Sequence, residues 1–317
     1  MSEGTNRQER ALVLSPSKIA FLGFGEAAQA FALGLSQKGA GADLAAYDIK
    51  TDGPDAQVKR DEYTRSNVAG AASCAELCEG ADVVFSLVTA DQAEVAANNA
   101  AAADLNGALY LDCNSCAPET KRQAAHVIEA ANGRYVDVAI MTPVHPRLHR
   151  SPCFLAGSYA QAAHEVTQQL GMDTKIVGDQ VGEASTRKMI RSVMIKGMEA
   201  LTLECFLAAR KAGIEAEILA SLTASFADFD WSERAPYMME RAATHGIRRA
   251  AEMEQVVKTL SDLGLSTHMT DGTVKRQREI GALGLSIDAK DAEDLGKISD
   301  ILLDGLAQSS DETRREE

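Results

Sequence analysis

One segment constrains this chain more than any other: Lys18-Ile19-Ala20-Phe21-Leu22-Gly23-Phe24-Gly25-Glu26-Ala27-Ala28. Five residues of strand character run directly into a G-x-G-x-x-A turn, and an amphipathic helix over residues 27–38 comes next. Gly23 permits the tight turn, Gly25 lets backbone approach a pyrophosphate, and the small Ala28 allows close packing of helix on strand. The N–H groups that open the helix, at Phe24, Glu26 and Ala27, then face phosphates. The same turn also fits a strand-to-helix connection that binds nothing, but a second strand ending at Asp48 supplies the βαβ context that favours a dinucleotide. Asp48 stands 20 residues beyond Ala28. A carboxylate there accepts hydrogen bonds from ribose hydroxyls and repels a 2′-phosphate, so NAD is favoured over NADP, a preference that Lys50 softens.

The remaining pattern predicts an α/β Rossmann-type N-terminal domain followed by an all-α C-terminal domain. Strands are expected at residues 18–22, 43–47, 82–88, 108–112, 134–140, 153–156 and 175–177, separated by Ala-rich helical stretches. After Gly182 the strand signals stop. Residues 183–212 contain no Pro and one Gly, Gly197, and read as a single helix far longer than the ~11-residue average. Gly213, Pro236, Gly264 and Gly284 are expected to divide the C-terminal stretch into several helices. The expected layout is thus a flexible N-terminus at 1–17, a dinucleotide-binding domain at 18–182, a connecting helix at 183–212, an all-α substrate and dimerisation domain at 213–306 and a charged flexible tail at 307–317. A flat all-α domain of this kind suggests a homodimer.

Charge narrows the partners. Lys+Arg 32 against Asp+Glu 46 gives a net charge of −14, which repels nucleic-acid backbones and anionic lipid headgroups, so neither is an expected partner. An anionic small molecule would need a local basic pocket. Six Cys in 317 residues are too few for a disulfide scaffold, and Cys74/Cys78 and Cys113/Cys116 do not form a zinc-type set. No apolar run spans a bilayer and the N-terminus has no signal-peptide pattern, so a cytoplasmic protein is expected.

On the long helix, at ~100° per residue, Ser185, Lys188, Ser192, Lys196 and Glu199 fall within an arc of about 80°. Met189, Ile190, Val193, Met194, Met198 and Leu201 fill much of the rest. Such a stripe is either the solvated face of an amphipathic helix or the lining of a cleft between domains, where a desolvated Lys exchanges a proton with a substrate hydroxyl.

The Gly23–Ala28 start, the turn Asp112-Cys113-Asn114-Ser115-Cys116-Ala117-Pro118, the segment from Asp137 to Pro143 and the run from Gly182 to Lys188 together resemble the β-hydroxyacid dehydrogenase family. That family includes 3-hydroxyisobutyrate and 6-phosphogluconate dehydrogenases, and the resemblance covers residues 18–290. It implies NAD(P)-dependent oxidation of a small 3-hydroxy acid or sugar acid, with Lys188 as the catalytic lysine and Ser115 or Asn114 touching nicotinamide and substrate. It further implies that Leu87, Val88 and Thr89 lie over the cofactor. A decarboxylating dehydrogenase and a non-catalytic NAD(P) sensor on the same fold stay open as alternatives.

The departures concern the substrate. Where the family has Ser-Gly-Gly, this chain has Met141-Thr142-Pro143 followed by His145, and where it has Asn, four residues past the lysine, stands Ser192. Pro143 removes a backbone donor. In the α-domain the family's Lys-Asp-Leu gives way to His245-Gly-Ile-Arg248-Arg249, as in a sub-branch whose C-terminal domain is uncharacterised. Arg248 suits a carboxylate or phosphate, with a helix-surface pair to Glu252 as the alternative. Met141, Thr142, His145, Ser192, His245 and Arg248 are therefore the candidate substrate residues, with no metal expected at His145 and His149. Trp231 reads as a core anchor of the α-domain.

Overall fold

The computed structural model describes residues 15–39 and 41–316, with side chains as far as 309. The expected flexible segment 1–17 therefore falls almost wholly outside the described residues. The chain divides into two compact units, Met1–Met189 and Ile190–Glu317, so the division falls inside the long helix.

The first unit runs β1 (Lys18–Leu22), α1 (Glu26–Lys38), β2 (Asp43–Tyr47), α2 (Ala56–Arg65), β3 (Ala69–Gly70), α3 (Cys74–Cys78), β4 (Val83–Ser86), α4 (Ala93–Ala101), β5 (Leu109–Asp112), α5 (Pro118–Ala130), β6 (Arg134–Ile140), β7 (Cys153–Ala156), α6 (Ala160–Gln169), β8 (Thr174–Gly178) and the start of α7 (Glu183–Ala212). The strands make one sheet in the order β3-β2-β1-β4-β5-β6-β7-β8. All neighbours are parallel except β6 and β7. Parallel strands are covered on both faces, which is why they read as continuous apolar runs. Ile19, Phe21, Phe31, Phe85, Val136 and Val166 build the core on one face. Ala20, Leu22, Val84, Ala97, Tyr110 and Ile128 build it on the other.

Two strands are shorter than expected. β4 begins after Asp82, whose carboxylate accepts instead from Ser17 N, Ser17 Oγ and Lys18 N at 2.7, 2.8 and 3.2 Å, and it ends before Leu87. β5 begins at Leu109 rather than Ala108. β3 is two residues long and carries no sequence signal.

The second unit continues α7 and adds α8 (Glu215–Ser225), α9 (Trp231–Asp262), α10 (His268–Gly281) and α11 (Leu295–Glu316). Leu203, Phe206, Met239, Ile280, Ile298 and Leu302 are its core, and Trp231 packs there against Phe206, Phe226 and Phe229. Breaks fall at Gly213, Gly264 and Gly284 as expected, but Pro236 lies inside α9. The Asp230 carboxylate caps α9 by accepting from Ser232 N and Glu233 N at 3.1 and 3.2 Å, so the helix starts ahead of the proline. Burial of Ala235, Met239, Ala242 and Ala243 outweighs the ~3 kcal/mol that an interior proline costs. α11 runs on into the expected tail, as far as Glu316.

Candidate active site

β1 lies beside β4 rather than beside β3, so the sheet order reverses between them and a crevice opens at the carboxyl ends of these two strands. Gly23 closes the end of β1 in the left-handed region, at φ +84°, and donates its N–H to Tyr47 O at 2.8 Å. A methyl group there would come within 2.7 Å of Leu87 O and 2.8 Å of Val88 Cγ1, so only glycine fits beneath the loop after β4. Gly25 is exposed and has nothing within 4 Å of the place a side chain would occupy. No side chain caps the helix it opens. An open cradle before uncapped N–H groups is what a pyrophosphate requires. Glu26 and Thr89 are exposed, Ala27, Leu87 and Val88 half-buried, and Ala28 buried. A groove of about 890 Å³ bordered by Lys18, Asp43 and Gly70 sits at the opposite, amino ends of β1 and β2.

Phe24 behaves differently from its neighbours in the motif. Its ring is fully buried against Phe21 and Tyr63, and its backbone is held from both sides. Phe24 N donates to Asp48 Oδ2 at 2.8 Å, while Phe24 O accepts from Lys59 Nζ at 2.9 Å and Gln29 Nε2 at 3.3 Å. Lys59, 7% exposed, also donates to Glu62 Oε2 at 2.6 Å and stands 3.8 Å from Asp48. Asp48 Oδ1 accepts from Lys50 N at 3.0 Å. Asp48 thus fixes the glycine turn, and the nearby Lys59 ammonium offsets part of its charge. Lys59, Gln29 and Glu62 carry no motif, and only their fall on α1 and α2 brings them here.

At the end of β5 the structure separates two residues that sequence left paired. The Asn114 amide is spent: Oδ1 accepts from Val88 N at 2.7 Å and Nδ2 donates to Ser86 Oγ at 2.9 Å. Ser115 Oγ, by contrast, is buried without a hydrogen-bond partner, as is Thr142 Oγ1 after β6. Buried hydroxyls without partners at the ends of adjacent strands fit a bound cofactor and substrate that would complete them. Met141 packs against Ala139, Ala156 and Ala184, and His145 is exposed.

Lys188 lies in the second turn of α7, half-buried. Burial raises the thiols of Cys116 and Cys153 to about 12 and that of Cys113 well above its ordinary value, and the Lys188 charge opposes each rise. Cys113 and Cys116 flank Ser115 in the turn after β5, and Cys153 opens β7. These thiols are buried and free.

The remaining candidates belong to the helical unit. The polar stripe of α7 is not a solvated face there: Ser192, Lys196 and Glu199 are 6%, 8% and 4% exposed. Lys196 Nζ pairs with Glu252 at 2.7 Å, and Glu199 pairs with Arg249 and accepts from Gln277 Nε2 at 3.3 Å. Arg248 is exposed and donates to Glu252 Oε1 at 2.6 Å, and His245 is half-buried. Among the described residues no three His, Cys, Asp or Glu are grouped to hold a metal, and no helix is long and apolar enough to cross a membrane.

A doubly wound sheet with a glycine turn at its switch point defines a dinucleotide-binding α/β protein. Residues 18–177, half of the chain, match the NAD binding domain of 6-phosphogluconate dehydrogenase, and residues 209–280 match a domain of unknown function, DUF1932. The chain belongs to this 6-phosphogluconate dehydrogenase-type, NAD(P)-binding family, whose members are dehydrogenases and reductases. It is similar to a conserved hypothetical protein from Sinorhizobium meliloti 1021, at 35% identity over 92% of this chain and 97% of that one, with a TM-score of 0.68. It is also similar to 3-hydroxyisobutyrate dehydrogenase from Pseudomonas aeruginosa, at 25% identity over 85% of this chain and 90% of that one. An imine reductase from Aspergillus terreus, solved with NADPH4 and dibenz[c,e]azepine, shares the fold at 18% identity over 86% and 96% of the two chains, with a TM-score of 0.55.

Proposed function

We propose that this protein is an NAD(P)-dependent oxidoreductase that moves a hydride between nicotinamide and a small 3-hydroxy acid or sugar acid. The observation that carries the reading is that the Lys188 charge acts on Cys113 and Cys116, the residues that flank the unpartnered Ser115 hydroxyl in its turn. Gly23, Gly25 and the first turn of α1 hold the pyrophosphate, Asp48 meets the adenosine ribose, and residues 87–89 flank the nicotinamide. When bound, the nicotinamide supplies or accepts the hydride. Ser115 donates to the substrate oxygen, and Lys188 takes the hydroxyl proton during oxidation and returns it during reduction. The Asp48 carboxylate favours NAD, and Lys59, held within 3.8 Å of it, narrows the margin. The substrate is a small anion, with Met141, Thr142 and His145 as its proposed recognition residues.

The test is a titration of NADH and NADPH by nicotinamide fluorescence, followed by an absorbance screen of oxidised and reduced cofactor against 3-hydroxy acids, sugar acids and their carbonyl forms. Lys188→Met is expected to lower kcat by at least ~10²-fold, the smallest factor typical of a lost general acid–base, with the NADH Kd unchanged. Retained turnover would refute the role of Lys188. Tight cofactor binding with no turnover on any compound would identify a sensor instead.

A further inference from the structure

Lys121 is fully buried, as are two carboxylates beside it, and the proposed chemistry uses none of the three. Asp112 ends β5 and Asp137 stands opposite it in register on β6. Lys121 Nζ, on α5, donates to Asp112 O at 2.5 Å and Asp112 Oδ1 at 2.9 Å, and lies 3.6 Å from Asp137 Oδ1. Two carboxylates and one ammonium leave one surplus negative charge, which neutral donors absorb. Asp112 accepts from Tyr135 OH at 2.6 Å and Asn114 N at 3.0 Å. Asp137 Oδ2 accepts from Gly182 N, Ser185 N and Ser185 Oγ at 3.1, 3.0 and 3.1 Å, all at the start of α7.

Well-packed apolar side chains would stabilise such a core about as well, so stability alone does not call for these ions. What they do is join three segments. One end of the chain of contacts is the turn that holds Asn114 and Ser115. The other is the first turn of α7, where Ser185 precedes Lys188 by three residues and shares its helix face. Gly182 seats the same turn on α5: its φ is +105°, and a methyl group there would lie 2.7 Å from Arg122 Nη1 and 3.2 Å from Pro118 Cβ.

We infer that Lys121 is a positioning residue, which through Asp112 and Asp137 fixes the start of α7, and with it Lys188, against the Ser115 turn. The catalytic half of this inference rests on the function proposed above. The mechanical half does not.

Lys121→Met alone leaves two facing carboxylates uncompensated and is expected to fold poorly. The decisive full-length variants are Lys121→Met/Asp112→Asn, which keeps the net charge of the cluster, and Ser185→Ala, which removes one of the three donors to Asp137 Oδ2 without touching a charge. Amide hydrogen exchange over residues 182–189 is expected to accelerate at least tenfold in the double variant and threefold in Ser185→Ala, while residues 19–35 exchange as in the wild type. NADH is expected to bind within threefold of wild type, and any substrate found in the screen to show a tenfold lower kcat in the double variant with KM within threefold. Unchanged exchange at 182–189, an equal rise throughout residues 15–189, or an unchanged kcat would each overturn the inference. If the wild type turns over nothing, the functional reading fails and the exchange measurement still decides the mechanical one.

Discussion

Gly23 and Gly25 are two positions apart, and a methyl group added at each reports on a different property. At Gly23 the left-handed backbone costs about 1–2 kcal/mol and the collision with Leu87 and Val88 about 1–3 more. Gly23→Ala is expected to lower Tm by roughly 5–15 °C, at about 2–4 °C per kcal/mol for a domain of this size. At Gly25 the methyl meets nothing within 4 Å. Gly25→Ala should leave the melting curve in place and weaken NADH at least tenfold. Calorimetry and fluorescence titration on the same two proteins check this, and wild-type affinity in Gly25→Ala would remove the phosphates from that turn. Both glycines were legible in the sequence, because backbone demands at a strand-to-helix turn leave few alternatives. Asn114 and Ser115 were legible only as a pair: which hydroxyl or amide is already bonded depends on Ser86 and Val88, and no spacing encodes that. Lys121 left no trace at all, and Asp137, though it opens one of the segments that carry the resemblance, gave no sign of its pairing, since buried charges on α5 and β6 look in sequence like ordinary polar residues.

The contact between α1 and the short turn at Leu148–Arg150 shows how an element buries a titratable ring. His149 is 6% exposed and packs on Gly34, where a methyl group would fall within 2.9 Å of the ring carbon Cγ. Burial lowers its pKa below the ordinary 6.5, and the charges of Arg150 and Lys38 lower it further. The unfolded chain therefore binds a proton more readily than the folded one, so this contribution is complete above about pH 6.5 and declines as the pH falls toward the depressed folded value. His149→Gln should flatten the slope of unfolding free energy against pH below 6.5. Urea titrations at stepped pH measure it, and an unaltered slope would show that His149 is not the group. At this scale most of the fold was readable: buried parallel strands announce themselves as apolar runs, and α7 was bounded by its lack of breakers. Periodicity was silent on which way the α7 stripe faces, because a polar arc looks the same beside water and beside Glu252 and Arg249. Pro236 misled for a related reason: the cap at Asp230 and the core contacts that carry α9 through it lie outside any local signal.

With Ser192, Lys196 and Glu199 turned inward, α7 presents its apolar residues outward: Ile190, Met194 and Leu201 are 49%, 63% and 58% exposed. We propose that a second copy of the chain covers them. The net charge of −14 opposes that association over long range, so the homodimer should tighten as salt rises toward physiological strength, where the Debye length is about 8 Å. Sedimentation velocity is expected to show a dimer for the wild type at micromolar concentration and a monomer for Met194→Glu, with the helical content of both unchanged. A monomeric wild type would reject the dimer.

The Asp137 contacts also decide where this protein can be cut. The matched cofactor-binding domain ends at residue 177, yet all three donors to Asp137 Oδ2 come from Gly182 and Ser185. A chain stopped at 177 would keep every strand contact of the sheet up to that point and still hold a buried carboxylate stripped of those donors, a loss worth several kcal/mol. Truncation after Val177 should yield an aggregating fragment and truncation after Met189 a soluble one that retains NADH. Here the unit of inheritance and the unit of folding differ by a dozen residues, and a protease or an engineer meets only the second.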